Sequence, residues 1–290
     1  YSGPTGSGVN PLAMKLTPIE TGLFKLDGGA MFGVVPKTLW SRVQPADSDN
    51  LCTWSMRCLL IQTGERTILV DTGIGNKQGE RFQKHFQPHG DDTLTHSLHQ
   101  AGVTPEEITD VFLTHLHFDH VGGAVVYTAE GQLVPAFPNA TYWSNKRHWN
   151  WAMNPNPREQ ASFLKENFVP LLEAGVVSFL ELNPEGPTEW LPGIRIHQVH
   201  GHTEAMMLLE IDDDKGSTFL YCADLIPSSF HISMPWIMAY DVRPLETLRE
   251  KEYFLTKACD ENWHLIFEHD PHTPSASLMR DSRGRIIPKI

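Results

Sequence analysis

A chain of 290 residues is long enough to bury a sizeable core, and 40% hydrophobic with 20% charged residues is the balance of an ordinary globular protein. Thirty-five Asp and Glu against 23 Lys and Arg leave a formal charge of −12, which argues against a nucleic-acid surface, because phosphate binding needs clustered cations. No apolar run approaches the roughly 18 residues that span a bilayer, so no membrane partner is expected.

Residues 1–13, Y-S-G-P-T-G-S-G-V-N-P-L-A, have neither a basic start nor an apolar stretch. They read as an expression scar ahead of Met14, with no signal peptide, residues 14–290 as one domain and the cytoplasm as the default location. Residues 54–62 and 66–70 are β-rich runs separated by Thr63-Gly64-Glu65, a hairpin signal. Helical spacing through Leu94 and Leu98 predicts a helix over 93–100, stopped by Gly102. A short buried strand is expected over 108–113. Phe163, Phe168, Leu171 and Leu172 predict a helix over 158–174, closed by Gly175. Strands follow at 176–182, 194–199, 205–211 and 218–222, the last two joined by the turn Asp212-Asp213-Asp214-Lys215-Gly216. Residues 245–259 read as a charged amphipathic helix and 264–267 as a final strand. Strands clustered in each half, with helices between them, point to layered sheets with helices outside. Cys52, Cys58, Cys222 and Cys259 form no C-x-x-C pair and read as reduced packing residues.

The strand over 108–113 runs straight into T-H-L-H-F-D-H-V-G-G, residues 114–123. If the backbone stays extended, His115 and His117 share one face, and a turn through Phe118 brings Asp119 and His120 from another direction. Imidazole and carboxylate are what a borderline cation such as Zn²⁺ takes, and two pairs on two faces can serve two ions. Such ions need further donors, and three candidates stand just beyond expected strands: His202 in V-H-G-H-T, Asp224 in Y-C-A-D-L and His269 in F-E-H-D-P.

With those residues in place, H-L-H-F-D-H resembles the H-x-H-x-D-H signature of the metallo-β-lactamase superfamily of metal-dependent hydrolases. Leu69-Val70-Asp71-Thr72-Gly73 resembles its D-T-G turn and Gly201-His202-Thr203 its G-H-T, so the resemblance runs from about Met14 to about Pro274. It implies an α+β fold, a four-layer αββα sandwich over 14–290, with the site at one edge of the two sheets. It implies one ion held by His115, His117 and His202 and a second held by Asp119, His120 and His269. Asp224 would bridge both, and Asp71 would support the ligand loop from behind. The implied cofactors are two divalent ions, zinc first, with Mn, Fe and Co accepting the same donors. Asp224, where some relatives carry cysteine, implies a two-metal hydrolase that uses a bridging hydroxide, with Asp119 and Asp224 as catalytic carboxylates.

The segment L-D-G-G-A-M-F-G-V-V-P-K, residues 26–37, resembles quorum-quenching N-acyl-homoserine lactonases and their relatives, which include methyl parathion hydrolase. Met31, Phe32 and Trp40, with Phe230, Met234 and Trp236 from a later apolar stretch, are the expected pocket walls for an acyl chain or aryl ring. The expected reaction is opening of the lactone ring of N-acyl-homoserine lactones. Hydrolysis of aryl esters or organophosphate triesters is the alternative, because Pro227 stands where lactonases of the family carry a tyrosine, three positions after the bridging aspartate. The expected partner is a small ester or lactone, and the apolar stretches would equally suit a homodimer contact. His85, His89, His96 and His99 have helix-like spacing and read as solvent-exposed side chains.

Overall fold

The computed structural model describes residues 13–289, so the reading of 1–13 as an expression scar lies outside the described residues except at Ala13. In the first of two mixed sheets, β1 (Lys15–Asp27), β2 (Leu51–Gln62), β3 (Thr67–Val70) and β4 (Asp110–Phe112) run side by side. A separate hairpin of β5 (Val125–Tyr127) and β6 (Leu133–Pro135) intervenes, and β7 (Thr141–Ser144) with β8 (Val177–Phe179) completes the sheet. The second sheet contains β9 (Thr188–Leu191), β10 (Ile194–Val199), β11 (Met206–Asp212), β12 (Thr218–Tyr221), β13 (His264–Ile266), β14 (Ser275–Arg280) and β15 (Ile286–Lys289), ordered from β15 at one edge to β9 at the other.

Side chains alternate across a strand, and β2 uses both faces. Leu59 and Ile61 join Ile196, Leu208, Leu220 and Leu265 in one core, while Cys58 and Leu60 face the other way into a second. Burial on both sides explains why the sequence there is nearly continuous in apolar residues. Helices close the outer faces. Of α1 (Gly28–Phe32), α2 (Lys37–Trp40), α3 (Glu80–Phe86), α4 (Leu94–Gln100), α5 (Phe118–Val121), α6 (Lys146–Met153), α7 (Val169–Glu173) and α8 (Pro244–Asp260), it is α4, α6 and α7 that bury Leu98, Trp149 and Leu171 against the first sheet. Phe254, Leu255 and Ala258 of α8 pack with the second. Helix, sheet, sheet, helix is the αββα sandwich. None of the described helices is long and apolar enough to cross a membrane.

Strand direction places the site. β3 and β4 are parallel, so the loops after them leave from the same edge. β10 and β12 each pair antiparallel with β11 and therefore point the same way, and β13 runs parallel to β12. The loops after β3 and β4, and those after β10, β12 and β13, emerge on a common side of the sandwich.

Three expectations differ from the structure. The helix expected over 158–174 is broken into turns, a 3₁₀ segment at Lys165–Asn167 and the short α7. Pro170 lacks the N–H that a continuous helix would require there and sits instead in the first turn of α7. Phe163, Phe168 and Leu171 are buried all the same, but Leu172 is 45% exposed. The strand at 264–267 is not the last, since the β14–β15 hairpin follows it. The 13-residue β1 was not anticipated, because Pro18 and Gly22 interrupt its pattern. As an edge strand β1 tolerates the proline, and a register irregularity between Glu20 and Leu23 absorbs Gly22.

Candidate metal centre

His115 stands three residues beyond Phe112, and His202, Asp224 and His269 stand three beyond Val199, Tyr221 and Ile266, the ends of β10, β12 and β13. His117 precedes α5, whose single turn presents Asp119 and His120. The turn packs against the D-T-G loop: both the backbone N–H and the hydroxyl of Thr72 donate to the His120 carbonyl, at 2.8 and 2.9 Å. Gly122 makes this approach feasible, since a Cβ there would lie 2.1 Å from the Ile74 carbonyl oxygen. Asp71, Ala205 and Ala223 adopt positive φ angles of 59°, 56° and 44°, so left-handed backbone collects in the loops around the cluster.

The seven side chains converge in two groups. His115, His117, His202 and Asp224 offer donor atoms within 4.8 Å of one another, and so do Asp119, His120, His269 and Asp224. Asp224 belongs to both. Its Oδ2 lies 3.1 Å from the Nε2 atoms of His120 and His202 and 3.5 Å from that of His115, while its Oδ1 is 3.0 Å from His269 Nε2. His117 Nδ1 approaches His202 Nε2 at 3.2 Å.

The opposite nitrogen of every histidine is anchored. The Asp71 carboxylate accepts from the N–H and the hydroxyl of Thr114 and lies 2.9 Å from His120 Nδ1. Because the Thr114 hydroxyl proton goes to Asp71, its oxygen is free to accept from His115 Nδ1 at 3.0 Å. His202 Nδ1 meets Asp241 Oδ1 at 2.7 Å, and His269 Nδ1 donates to the Ser55 carbonyl at 2.8 Å. Glu159 Oε1 faces His117 Nε2 at 3.4 Å and accepts from the Thr203 hydroxyl at 2.5 Å. With protons held on the outward nitrogens, the inward nitrogens are the ones that would offer lone pairs to a cation that displaces any proton there, the form in which imidazole binds a metal.

Two features show that this donor set suits cations. His115 Nε2 is buried and forms no hydrogen bond among the described residues, although such atoms are nearly always paired. The charges also call for a positive group. Burial opposes protonation of His202 and His269, yet the Asp224 carboxylate prevails and lifts them to about 10 and about 9. Burial, followed by the charge of His120, holds His115 well below the usual histidine range.

A cavity of about 400 Å³ opens beside the cluster, floored by His117, Asp119, His202, Asp224 and His269. Its walls include Leu26, Met31, Phe86, Phe118, Met238 and Tyr240, with Arg158 also at its lining. Of the six residues expected as walls, Met31 lines this cavity. Phe32 and Trp40 do not: they are 0% and 1% exposed and stack at 5.2 Å in the core behind it. Trp236 is half-buried, edge-on to Phe32. Phe230 and Met234 line a different groove, against α8 and the β14–β15 hairpin. The Lys251 ammonium fixes that loop by donating to the carbonyls of Ser233, Met234 and Trp236. His89, His96 and His99 are exposed as expected, whereas His85, also exposed, borders the cavity. Sequence reasoning missed Phe118, which stands between two of the histidines and beside the aspartate of the motif. Glu159 and Asp241 carried no signal, as neither sits in a pattern with the histidine it anchors.

The metallo-beta-lactamase superfamily model matches residues 57–288, and the chain belongs to that superfamily. It is a metal-dependent hydrolase. An N-acyl homoserine lactonase of Bacillus sp is 27% identical over 194 residues, covering 63% of this chain and 68% of its own. A probable metal-dependent hydrolase from Staphylococcus aureus superposes with a TM-score of 0.83 at 27% identity, over 96% of this chain and 97% of its own. AidC, a dizinc quorum-quenching lactonase solved in complex with a product, gives a TM-score of 0.74 at 21% identity, over 97% and 99% of the two chains, a likeness of fold.

Proposed function

We propose that the seven side chains hold two divalent cations, zinc first, and that the chain opens the ring of N-acyl-homoserine lactones. His115, His117 and His202 would hold one ion, Asp119, His120 and His269 the other, and Asp224 both. The observation that carries this reading is the double membership of Asp224 in two four-donor groups. The bound pair would supply an activated water and a Lewis acid for the ester carbonyl. Hydrolysis then adds hydroxyl to the acyl carbon, breaks its bond to the ring oxygen and delivers a proton to that oxygen. Asp119, at the cavity floor, would take that proton from the attacking water and pass it to the ring oxygen. Met31, Phe86, Phe118 and Met238 form an apolar wall that suits the acyl tail, and the lactonase relatives support the choice of substrate.

Purified protein should contain close to two ions per chain, and kcat/KM should rise several-fold from butanoyl to decanoyl lactones, since each buried CH₂ contributes up to about 0.8 kcal/mol. One ion or none after chelator-free purification would sink the two-ion reading. Aryl ester or phosphotriester hydrolysis is the second reading. Pro227, three positions after Asp224, brings no hydroxyl, and its carbonyl accepts from the His269 N–H at 2.9 Å. A rate indifferent to acyl length, with faster turnover of an aryl phosphotriester, would select that reading.

A further inference from the structure

The two loops that carry His115, His117 and His202 come from different sheets, so something must set the distance between them. His148, on α6, is 1% exposed and belongs to none of the sequence motifs. Its Nε2 accepts from the Leu116 N–H at 2.8 Å, the amide between His115 and His117. Its Nδ1 donates to the Glu204 carbonyl at 2.6 Å, two residues after His202. One ring therefore spans both loops through their backbones.

We propose that His148 is a positioning residue that holds the His115–His117 loop and the His202 loop at the separation the first ion requires. The hydrogen bonds fix its state. A carbonyl can only accept and an amide N–H can only donate, so Nδ1 carries the proton and Nε2 the lone pair. An imidazolium would set one N–H against another and break the bond to Leu116. Burial, the largest effect on its protonation, keeps the ring neutral and pushes it down to about 4. Asn145 works beside it: its side chain caps α6 by accepting from the His148 N–H at 2.8 Å and donates to the Ala205 carbonyl at 2.9 Å. The first turn of α6 thus grips the His202 loop at two successive carbonyls. The second ion's histidines are anchored elsewhere, His120 on Asp71 and His269 on the Ser55 carbonyl, and do not depend on this strap.

The role rests on the two-ion reading, and competition against a chromophoric zinc chelator tests the two separately. A wild-type chain that takes up one zinc ion or none defeats the two-ion reading. If the wild type takes up two ions, His148→Phe, which keeps the ring volume and loses both bonds, should weaken one of the two affinities about 10–100-fold and spare the other. His148→Gln places an acceptor near the Nε2 position and should recover most of that loss. His148→Asn places its amide near Nδ1, reaches Glu204 but not Leu116, and should recover less. Melting of the metal-free proteins serves as the control for a merely structural role. Unchanged affinities in His148→Phe, equal loss at both positions in step with the melting temperature, or Asn matching Gln would each overturn the role. Should His148→Phe not fold, the order of Gln above Asn remains the deciding comparison.

Discussion

Asp119 faces both the histidine cluster and the cavity. Its Oδ2 is 3.4 Å from His120 Nε2 and 3.3 Å from His269 Nε2, yet the side chain also borders the cavity where substrate would sit. If it protonates the leaving group, its loss should matter most where the departing alkoxide is a poor leaving group. Asp119→Asn should then lower turnover of alkyl lactones about a hundredfold, and of nitrophenyl esters far less, with metal content followed in parallel. Equal losses on both substrates would leave Asp119 as a ligand alone. That these seven side chains cluster was legible at this scale because four of them fall in one loop, where spacing is a local property of the chain. Of their anchors only Asp71 was, through the D-T-G turn; Glu159 and Asp241 were not. Glu159 is 42 residues from His117, and Asp241 is 39 from His202, so their meeting is decided by how the loops fold.

Elements show the same division. The 54–62 and 66–70 hairpin and the amphipathic 245–259 helix were readable from periodicity, and they appear as β2, β3 and α8. Proline misled in opposite ways, hiding the edge strand β1 and going unheeded inside the helix expected over 158–174. What periodicity could not show is that α8 braces the metal centre. Thr247 donates to Asp241, which in turn meets His202, and Gly201 sits so close that a Cβ would come 2.2 Å from Thr247 Oγ1. Three residues on, the Glu250 carboxylate accepts from the N–H groups of His200 and Gly201 at 2.7 Å each. Burial, assisted by the charges of Glu246 and Asp241 and opposed by those two N–H groups, raises it from 4.5 to about 7. The folded protein then holds this proton over a range where the unfolded chain has released it. That contribution is complete below about 4.5 and disappears as the pH climbs through about 7, at most about 3 kcal/mol. Glu250→Gln cannot titrate, so the melting temperature of the wild type minus that of the variant should fall between pH 5 and 8. A difference that stays flat over this window would mean that the two N–H groups keep the carboxylate ionised throughout.

At the scale of the whole molecule, the sandwich and the edge it uses follow from strand order, and the motif order along the chain made both legible. The charge stored at that edge is a property no single motif reveals. Asp71, Asp119, Asp224 and Glu268 are all at most 7% exposed, and both Glu268 oxygens are without a hydrogen-bond partner among the described residues. Burial and the Asp71 charge push Glu268 up to about 8, and carboxylates crowded away from water repel one another, a cost that bound cations would offset. Ions that bind the folded chain far more tightly than the unfolded one stabilise it by mass action, about 4 kcal/mol at a thousandfold excess over the dissociation constant. For a chain of this size that corresponds to roughly 7 °C in melting temperature. Dialysis against a chelator should therefore lower the transition by about that much, and returning zinc should restore it, with elemental analysis reporting the ions at each stage. Because this measurement needs no substrate, it probes the metal centre independently of the lactone reading. A transition that stays in place after the ions are shown to be gone would mean that the anchoring network alone, from Asp71 to Asp241, holds the loops against the repulsion.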